Sequence, residues 1–276
     1  MVAATLWGFI GPFGKIAYSQ GLGAMEVAFW RALFAWCCFS VEILIRTQSI
    51  RVDRKEILPL GLFSVLGVAL LYGAYQIAVD KGGAALASVL LYTAPAWVIV
   101  LSRCIFHEKI TRDKLIALAL TLLGISCIAA SKTEGIANNS SFAWTGIIAG
   151  LLSGFCYSLY YILGKFFSEK YSSAVLFFYS LLPGALLLLP WVTFAEKTPL
   201  AWLSLLGLSV FSTYGAYHFY YTGLKYIEAG RASLVATLEP VVASLAAWYW
   251  WGEVLSLTGY LGASLIVGAV ILIIRR

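Results

Sequence analysis

Charge is scarce in this chain: Asp, Glu, Lys and Arg make up 12% of its 276 residues, and there are only two histidines. So little charge cannot clothe a water-soluble surface when 61% of the residues are hydrophobic, whereas roughly 20 consecutive apolar residues span a bilayer as one helix. The five cysteines, Cys37, Cys38, Cys104, Cys127 and Cys156, fall within or at the edges of apolar segments, and no pair has C-x-x-C spacing. That argues against structural disulfides and a thiolate metal site. No Walker motif or G-x-S-x-G is present, and His107-Glu108-Lys109-Ile110-Thr111 starts like the zinc motif H-E-x-x-H but lacks the second histidine. ATP hydrolysis, a metal, a cofactor and an intramembrane hydrolase are therefore not expected.

What is present is a series of apolar runs. The pattern predicts an all-α integral membrane protein with ten spans, at approximately 2–19, 24–45, 57–79, 84–106, 115–131, 143–167, 172–194, 200–224, 229–251 and 256–274. No basic n-region with a small-residue cleavage site opens the chain, so Val2–Ser19 reads as a first span and not a signal peptide. That span is short and carries Lys15, which leaves a natural start upstream of Met1 as an expectation.

The net charge of +6 needs no nucleic-acid partner, because basic residues collect in cytoplasmic loops of membrane proteins. With the N-terminus inside, the inner loops and tail hold fourteen Lys and Arg, from Arg46 to Arg276, and the outer loops hold only Lys81, Lys132 and Lys197. Both termini are expected in the cytoplasm.

The chain also repeats itself. Ala84, Ala87, Ser88, Pro95 and Glu108 answer Ala229, Ala232, Ser233, Pro240 and Glu253 at a constant offset of 145. Tyr72-Gly73-Ala74-Tyr75 recurs as Tyr214-Gly215-Ala216-Tyr217, and Gly14-Lys15 as Gly164-Lys165. Two units follow, 1–132 and 141–276, of five spans each; an odd number makes the second unit enter the membrane from the opposite side. Pro95 and Pro240 lie mid-span in the inverted pair. Each removes an amide donor, freeing the carbonyls of Leu91 and Ala236, and paired broken helices in inverted repeats point to a substrate site. The alternative for either proline alone is an ordinary kink.

At this point the residues resemble a known family. Trp7-Gly8 with Lys15 in span one, Arg31 in span two, Leu238-Glu239-Pro240-Val241, Gly252-Glu253 closing span nine, and Gly262 and Gly268 in span ten look like the EamA group of the drug/metabolite transporter superfamily. The resemblance covers the whole chain. It implies a ten-helix carrier in the bacterial cytoplasmic membrane, moving small metabolites, often as an exporter of amino acids or related compounds. The first repeat has Ala94-Pro95 where the second has Glu239-Pro240, so the cavity is expected to be asymmetric.

Candidate site residues come from the polar groups inside the spans. Glu239 sits about ten residues into span nine, where a carboxylate costs at least ~2.5 kcal/mol and must be paired, protonated or hydrated. It binds substrate or exchanges protons on one reading, and ties down free backbone on the other. His218 is the one histidine inside a span; it is either a ligand contact or a residue satisfied between helices. Trp7, Tyr75, Gln76, Ser88, Tyr92, Tyr157 and Tyr217 complete the expected lining, with interfacial belts as the competing explanation for the aromatics. Trp248, Trp250 and Trp251 fit such a belt. Arg31 is placed within snorkelling reach of the outer interface, as anion ligand or structural partner, while Glu108 and Glu253 read as caps or gate pairs at helix ends. Glycines at 8, 11 and 14 and at 146, 150 and 154 predict close helix contacts for spans one and six.

The resulting expectation is a secondary-active carrier of a small polar metabolite in a lipid bilayer, with protons as candidate coupling ion and the oligomeric state left open, a monomer among the options; an uncoupled facilitative carrier and an intramembrane enzyme are the alternatives. The loop charges generate a topology test. With native cysteines removed, cysteines placed at Ser49 and Thr111 are expected to be shielded from an impermeant thiol reagent added to intact cells, and one at Asn139 labelled. Labelling of the first two reverses the assignment.

Overall fold

A computed structural model describes residues 1–131 and 140–275, so Lys132, Asn139 and Arg276 lie outside the described residues. Every regular element among the described residues is helical. In chain order these are α1 (Val2–Gly8), α2 (Ile10–Ser19), α3 (Ala24–Ile45), α4 (Arg54–Ser64), α5 (Leu71–Leu91), α6 (Ala94–Ile105), α7 (Arg112–Ser131), α8 (Ser140–Ser168), α9 (Ser173–Leu188), α10 (Pro199–Ser209), α11 (Ala216–Leu224), α12 (Ala229–Ala236), α13 (Glu239–Trp251) and α14 (Leu257–Ile274). Among the described residues, nine helical runs are long and apolar enough to cross a membrane. The expected first span is not one of them: it is divided at Phe9 into two short helices, a break that the apolar pattern of 2–19 does not reveal. Leu44, Leu58, Leu203 and Leu261 stand exposed on the outside of the bundle, as side chains in contact with lipid tails do. The Trp248–Trp251 run also projects outward at the end of α13, in keeping with an interfacial belt.

Two irregularities occur at matching places in the chain. Val65–Leu70 joins α4 to α5 as a π-helical turn, and Val210–Gly215 joins α10 to α11 in the same way, 145 residues later. The second pair is the helix breaks. α5 ends at Leu91 and α6 starts at Ala94 with Pro95 in its first turn; α12 ends at Ala236 and α13 starts at Glu239 with Pro240 in its first turn. Proline is well suited to that position because its missing donor would have had no partner there. Thr93 Oγ1 donates to the Leu90 carbonyl and Thr237 Oγ1 to the Leu234 carbonyl, both at 2.6 Å, closing the two breaks alike.

The Leu90 and Leu91 carbonyls turn toward α8, where Gly154 has no side chain; a Cβ on Gly154 would lie 2.5 Å from Leu90 O and 3.2 Å from Leu91 O. The freed carbonyl of Leu91 thus lies against the backbone of α8. Gly146 and Gly150 continue the stripe, bringing α8 onto Gly82 and Leu90 of α5. In span one only Gly8 makes such a contact, against Val242 of α13; Gly11 has nothing near it and Gly14 meets only its own Tyr18. α7 and α14 cross in the same manner at Gly124 and Gly262, where a Cβ on Gly124 would lie 2.7 Å from the Gly262 carbonyl.

The segments outside the spans are tied down across the bundle. Glu26 on α3 is buried, pairs with Lys197 at 2.6 Å and accepts from the Ala195 amide at 3.1 Å, holding the connection before α10. At the other end Lys170 pairs with Glu56, Ser172 donates to Gln48 Oε1 at 2.7 Å and Tyr179 to the Ile50 carbonyl at 2.8 Å.

The glycine contacts generate a stability test. Gly154→Ala presses a methyl group into a backbone carbonyl and is expected to cost about 1–3 kcal/mol, read as a lowered Tm in detergent, whereas Gly268→Ala, which meets nothing within 4 Å, leaves the Tm unchanged or raises it. Equal Tm for the two variants contradicts the close α5–α8 packing.

Candidate functional site

The second π turn sets one side of the site. In a π turn the backbone accepts from one residue further along, which displaces the side chains from the α-helical rows. Thr213 sits in that turn, donates to the Leu208 carbonyl at 3.1 Å, and accepts from Arg31 Nε at 2.7 Å. Arg31, on α3, lies with its guanidinium carbon 5.7 Å from the centre of the Tyr72 ring. It therefore points into the bundle and does not snorkel to the interface. Tyr72, Tyr160, Tyr217 and Glu239 lie within its electrostatic reach.

Glu239 forms the other side. It is the first residue of α13, so the broken helix presents it at the turn where the chain changes direction. It is half-buried, Tyr92 donates to its carboxylate, and Tyr75, Tyr157 and Tyr161 are within its electrostatic reach. A guanidinium and a carboxylate thus share one tyrosine-walled region, contributed by α3, α5, α8, α11 and the break before α13. The tyrosines pack ring on ring: Tyr157 lies 4.7 Å from Tyr161, Tyr217 lies 5.5 Å from Tyr160, and Phe177 backs Tyr217 at 4.5 Å. Such contacts fix ring orientation while leaving each phenol as donor and acceptor.

The structure separates the expected lining residues into groups. Tyr75, Tyr92, Tyr157, Tyr217 and Glu239 fall in the shared region. Gln76 and Ser88 are half-buried on α5, each one helical turn from a member of it, Tyr72 and Tyr92 respectively. Trp7 is 2% exposed and wedged against Tyr217 and Tyr220 at 6.2 and 5.0 Å, so it supports the tyrosines from behind. Pro95 and Pro240 start the helices that follow the breaks.

His218 goes elsewhere. Consecutive helical residues diverge by about 100°, so with Tyr217 inside, His218 turns to α3, its Nδ1 3.5 Å from Glu42 Oε1. Arg46 Nη1 meets the same oxygen at 3.2 Å. Beside them a pocket of about 440 Å³ is lined by Cys37, Cys38, Val41, Glu42, Ile45, Arg46 and Tyr214.

Sequence reasoning underrated two members, Arg31 and Tyr72. Arg31 is the one basic residue between Ala24 and Ile45, and its position, seven residues into α3, is compatible with either direction of the side chain. The π turn that supplies its partner carries no pattern that periodicity detects.

Comparison with known proteins gives the family and the fold. The model of the EamA-like transporter family matches residues 1–130 and 144–275. An uncharacterized transporter of Archaeoglobus fulgidus is 29% identical over 276 residues, covering 100% of this chain and 95% of the relative. The uncharacterized inner membrane transporter YicL of Salmonella typhimurium is 27% identical, covering 99% and 93%, and the uncharacterized transporter YdfC of Bacillus subtilis is 26% identical, covering 96% and 86%. A crystal structure superposes with a TM-score of 0.86 at 16% identity over 98% of this chain and 93% of that one, which speaks for the fold alone. With the family model matching nearly the whole chain and the relatives being transporters, this membrane protein belongs to the EamA-like transporter family.

Proposed function

We propose that the chain is a secondary-active carrier that moves a small zwitterionic metabolite, an amino acid or a compound like it, out of the cell across the cytoplasmic membrane. The observation that carries this reading is that Arg31 and Glu239, interior charges of opposite sign, lie close enough to act on each other in a region lined by tyrosines. A guanidinium recognises a carboxylate through its fork, and a carboxylate recognises an ammonium. Two fixed charges of opposite sign inside a bilayer are costly unless they neutralise each other or a ligand. A zwitterion inserted between them satisfies both, and the phenols hydrogen-bond whatever polar groups remain.

The cycle in this reading is alternating access by two inverted five-helix units, 1–132 and 141–276, with both termini cytoplasmic and the protein acting as a monomer. The matched π turns and matched breaks, 144 to 145 residues apart, support the two-unit organisation. Glu239 is the group that exchanges a proton when the cavity is empty and binds the substrate amine when it is filled, which couples export to the proton gradient.

Two substitutions test this in proteoliposomes with a panel of amino acids and amines under an imposed pH gradient. Glu239→Gln is expected to abolish gradient-driven flux in a chain that still inserts and runs as a monodisperse peak. Arg31→Lys keeps the charge but loses the fork, and is expected to raise KM about tenfold or more. Gradient-independent flux by the unmodified protein marks it as an uncoupled carrier, and native flux by the Glu239 variant removes Glu239 from the mechanism.

A further inference from the structure

The sequence repeat pairs Glu108 with Glu253, and the structure uses the two differently. Glu108, just past α6, reaches across to the start of α12: Oε1 accepts from the Ala229 amide at 2.7 Å and Oε2 from the Gly230 amide at 3.2 Å. These are first-turn donors that the helix itself cannot satisfy. Lys165, at the end of α8, takes the carbonyls just ahead, donating to Leu224 O at 2.9 Å and Ile227 O at 2.7 Å. One acid and one base from neighbouring helices thereby clamp the corner between α11 and α12. Lys114, 2% exposed, completes this end by meeting Glu108 at 3.5 Å and Glu228 at 3.0 Å.

At the other end the equivalent acid and base are Glu253 and Lys15. At the 145-residue offset of the π turns, which replaces the 142 of the Tyr-Gly-Ala-Tyr match, the equivalent corner runs from Val79 and Gly82, which answer Leu224 and Ile227, to Ala84 and Ala85, which answer Ala229 and Gly230. Gly83 within it has φ 82°, the sharp turn that such a corner requires. Yet Glu253 and Lys15 pair with each other, their side chains 45% and 49% exposed. The packing follows the same division: α6 lies along α12, whereas α13 packs on α1, α2 and α14.

We propose that Glu108 with Lys165 and Glu253 with Lys15 are two alternating latches, one for each end of the bundle. In the structure the Glu108 latch is closed and the Glu253 latch is open, its two members parked on each other. In the opposite state Glu253 accepts from the Ala84 and Ala85 amides, Lys15 donates to the Val79 and Gly82 carbonyls, and Glu108 releases α12. The inference deepens the alternating-access reading, on which it rests, by naming the groups that hold each closed end. Each latch exchanges a helix-end contact for an ion pair, so neither state strands a charge. The ends are unequal: Lys114 has Gly259 and Glu228 has Gly83 at the corresponding positions. The Glu253 latch thus lacks the extra ion pairs, and the state with Glu108 engaged is the resting one.

Spin labels on a cysteine-free chain in lipid nanodiscs, without substrate, read both ends. One pair sits at Ile110 and Tyr226 and the other at Asp80 and Val254, all exposed positions. Glu108→Ala is expected to lengthen the first distance and shorten the second, changing the population ratio by about tenfold or more, as loss of hydrogen bonds to a charged group does. Glu253→Ala, which alters only an exposed pair, is expected to leave the single state seen here. Lys165→Ala repeats the first shift and serves if the Glu108 variant does not fold. Unchanged distances in both the Glu108 and Lys165 variants overturn the proposal, as does a shortened Asp80–Val254 distance in the Glu253 variant. Because no substrate is needed, exchanging distances in a chain that moves no tested compound leave the latches standing and remove only the transport reading.

Discussion

A peptide group without a hydrogen-bond partner costs several kcal/mol in hydrocarbon, and this chain breaks two of its spanning helices in the middle. Much of the architecture follows from making that tolerable. Threonine hydroxyls close the breaks, a prolyl residue opens each new segment where a donor would have been wasted, and a glycine on α8 lets the Leu90 and Leu91 carbonyls rest against backbone. The same requirement governs the outer ends of these segments, where an acid from the opposite half caps α12. One interior charge, Glu239, stands at such a break.

The tyrosine wall reflects a related constraint. A cavity between helices in a bilayer has to present polar atoms to its contents without exposing any to lipid. Phenols meet this because the ring packs as an apolar body and the hydroxyl projects from its far edge. Trp7 and Phe177 stand behind Tyr217 and fill the space that the rings leave. In the proposed carrier, selection among solutes falls to Arg31 and Glu239, and the phenols add tolerance of shape.

A good part of this was legible in the sequence. The spacing of apolar runs located the helices, and the constant offset between Ala84–Glu108 and Ala229–Glu253 marked the two broken ones, because duplication leaves a record that single-residue propensity does not. What remained hidden depended on rotation about helix axes. Arg31 lay within reach of either interface or interior, and a residue-level pattern carries no information about where Thr213 would be. His218 read either as a ligand contact or as a residue satisfied between helices; a helix sends neighbours to different faces, and Glu42 was too distant in sequence to be recognised as its partner. The division at Phe9 and the π turns escaped for the same reason, since both leave an apolar run apolar.

The π turns carry a further meaning. A π turn is an α-helix holding one surplus residue, and removing that residue would rotate everything beyond it by about 100°. Deleting one position from Val210–Gly215 would swing Tyr217 off Phe177 and carry the whole of α11 with it, so the surplus residue is now locked in by what lies downstream. Val65–Leu70 stands under the same lock ahead of Tyr72 and Tyr75. Both places, 145 residues apart, thus hold a helix wound one residue further than its downstream contacts could now spare.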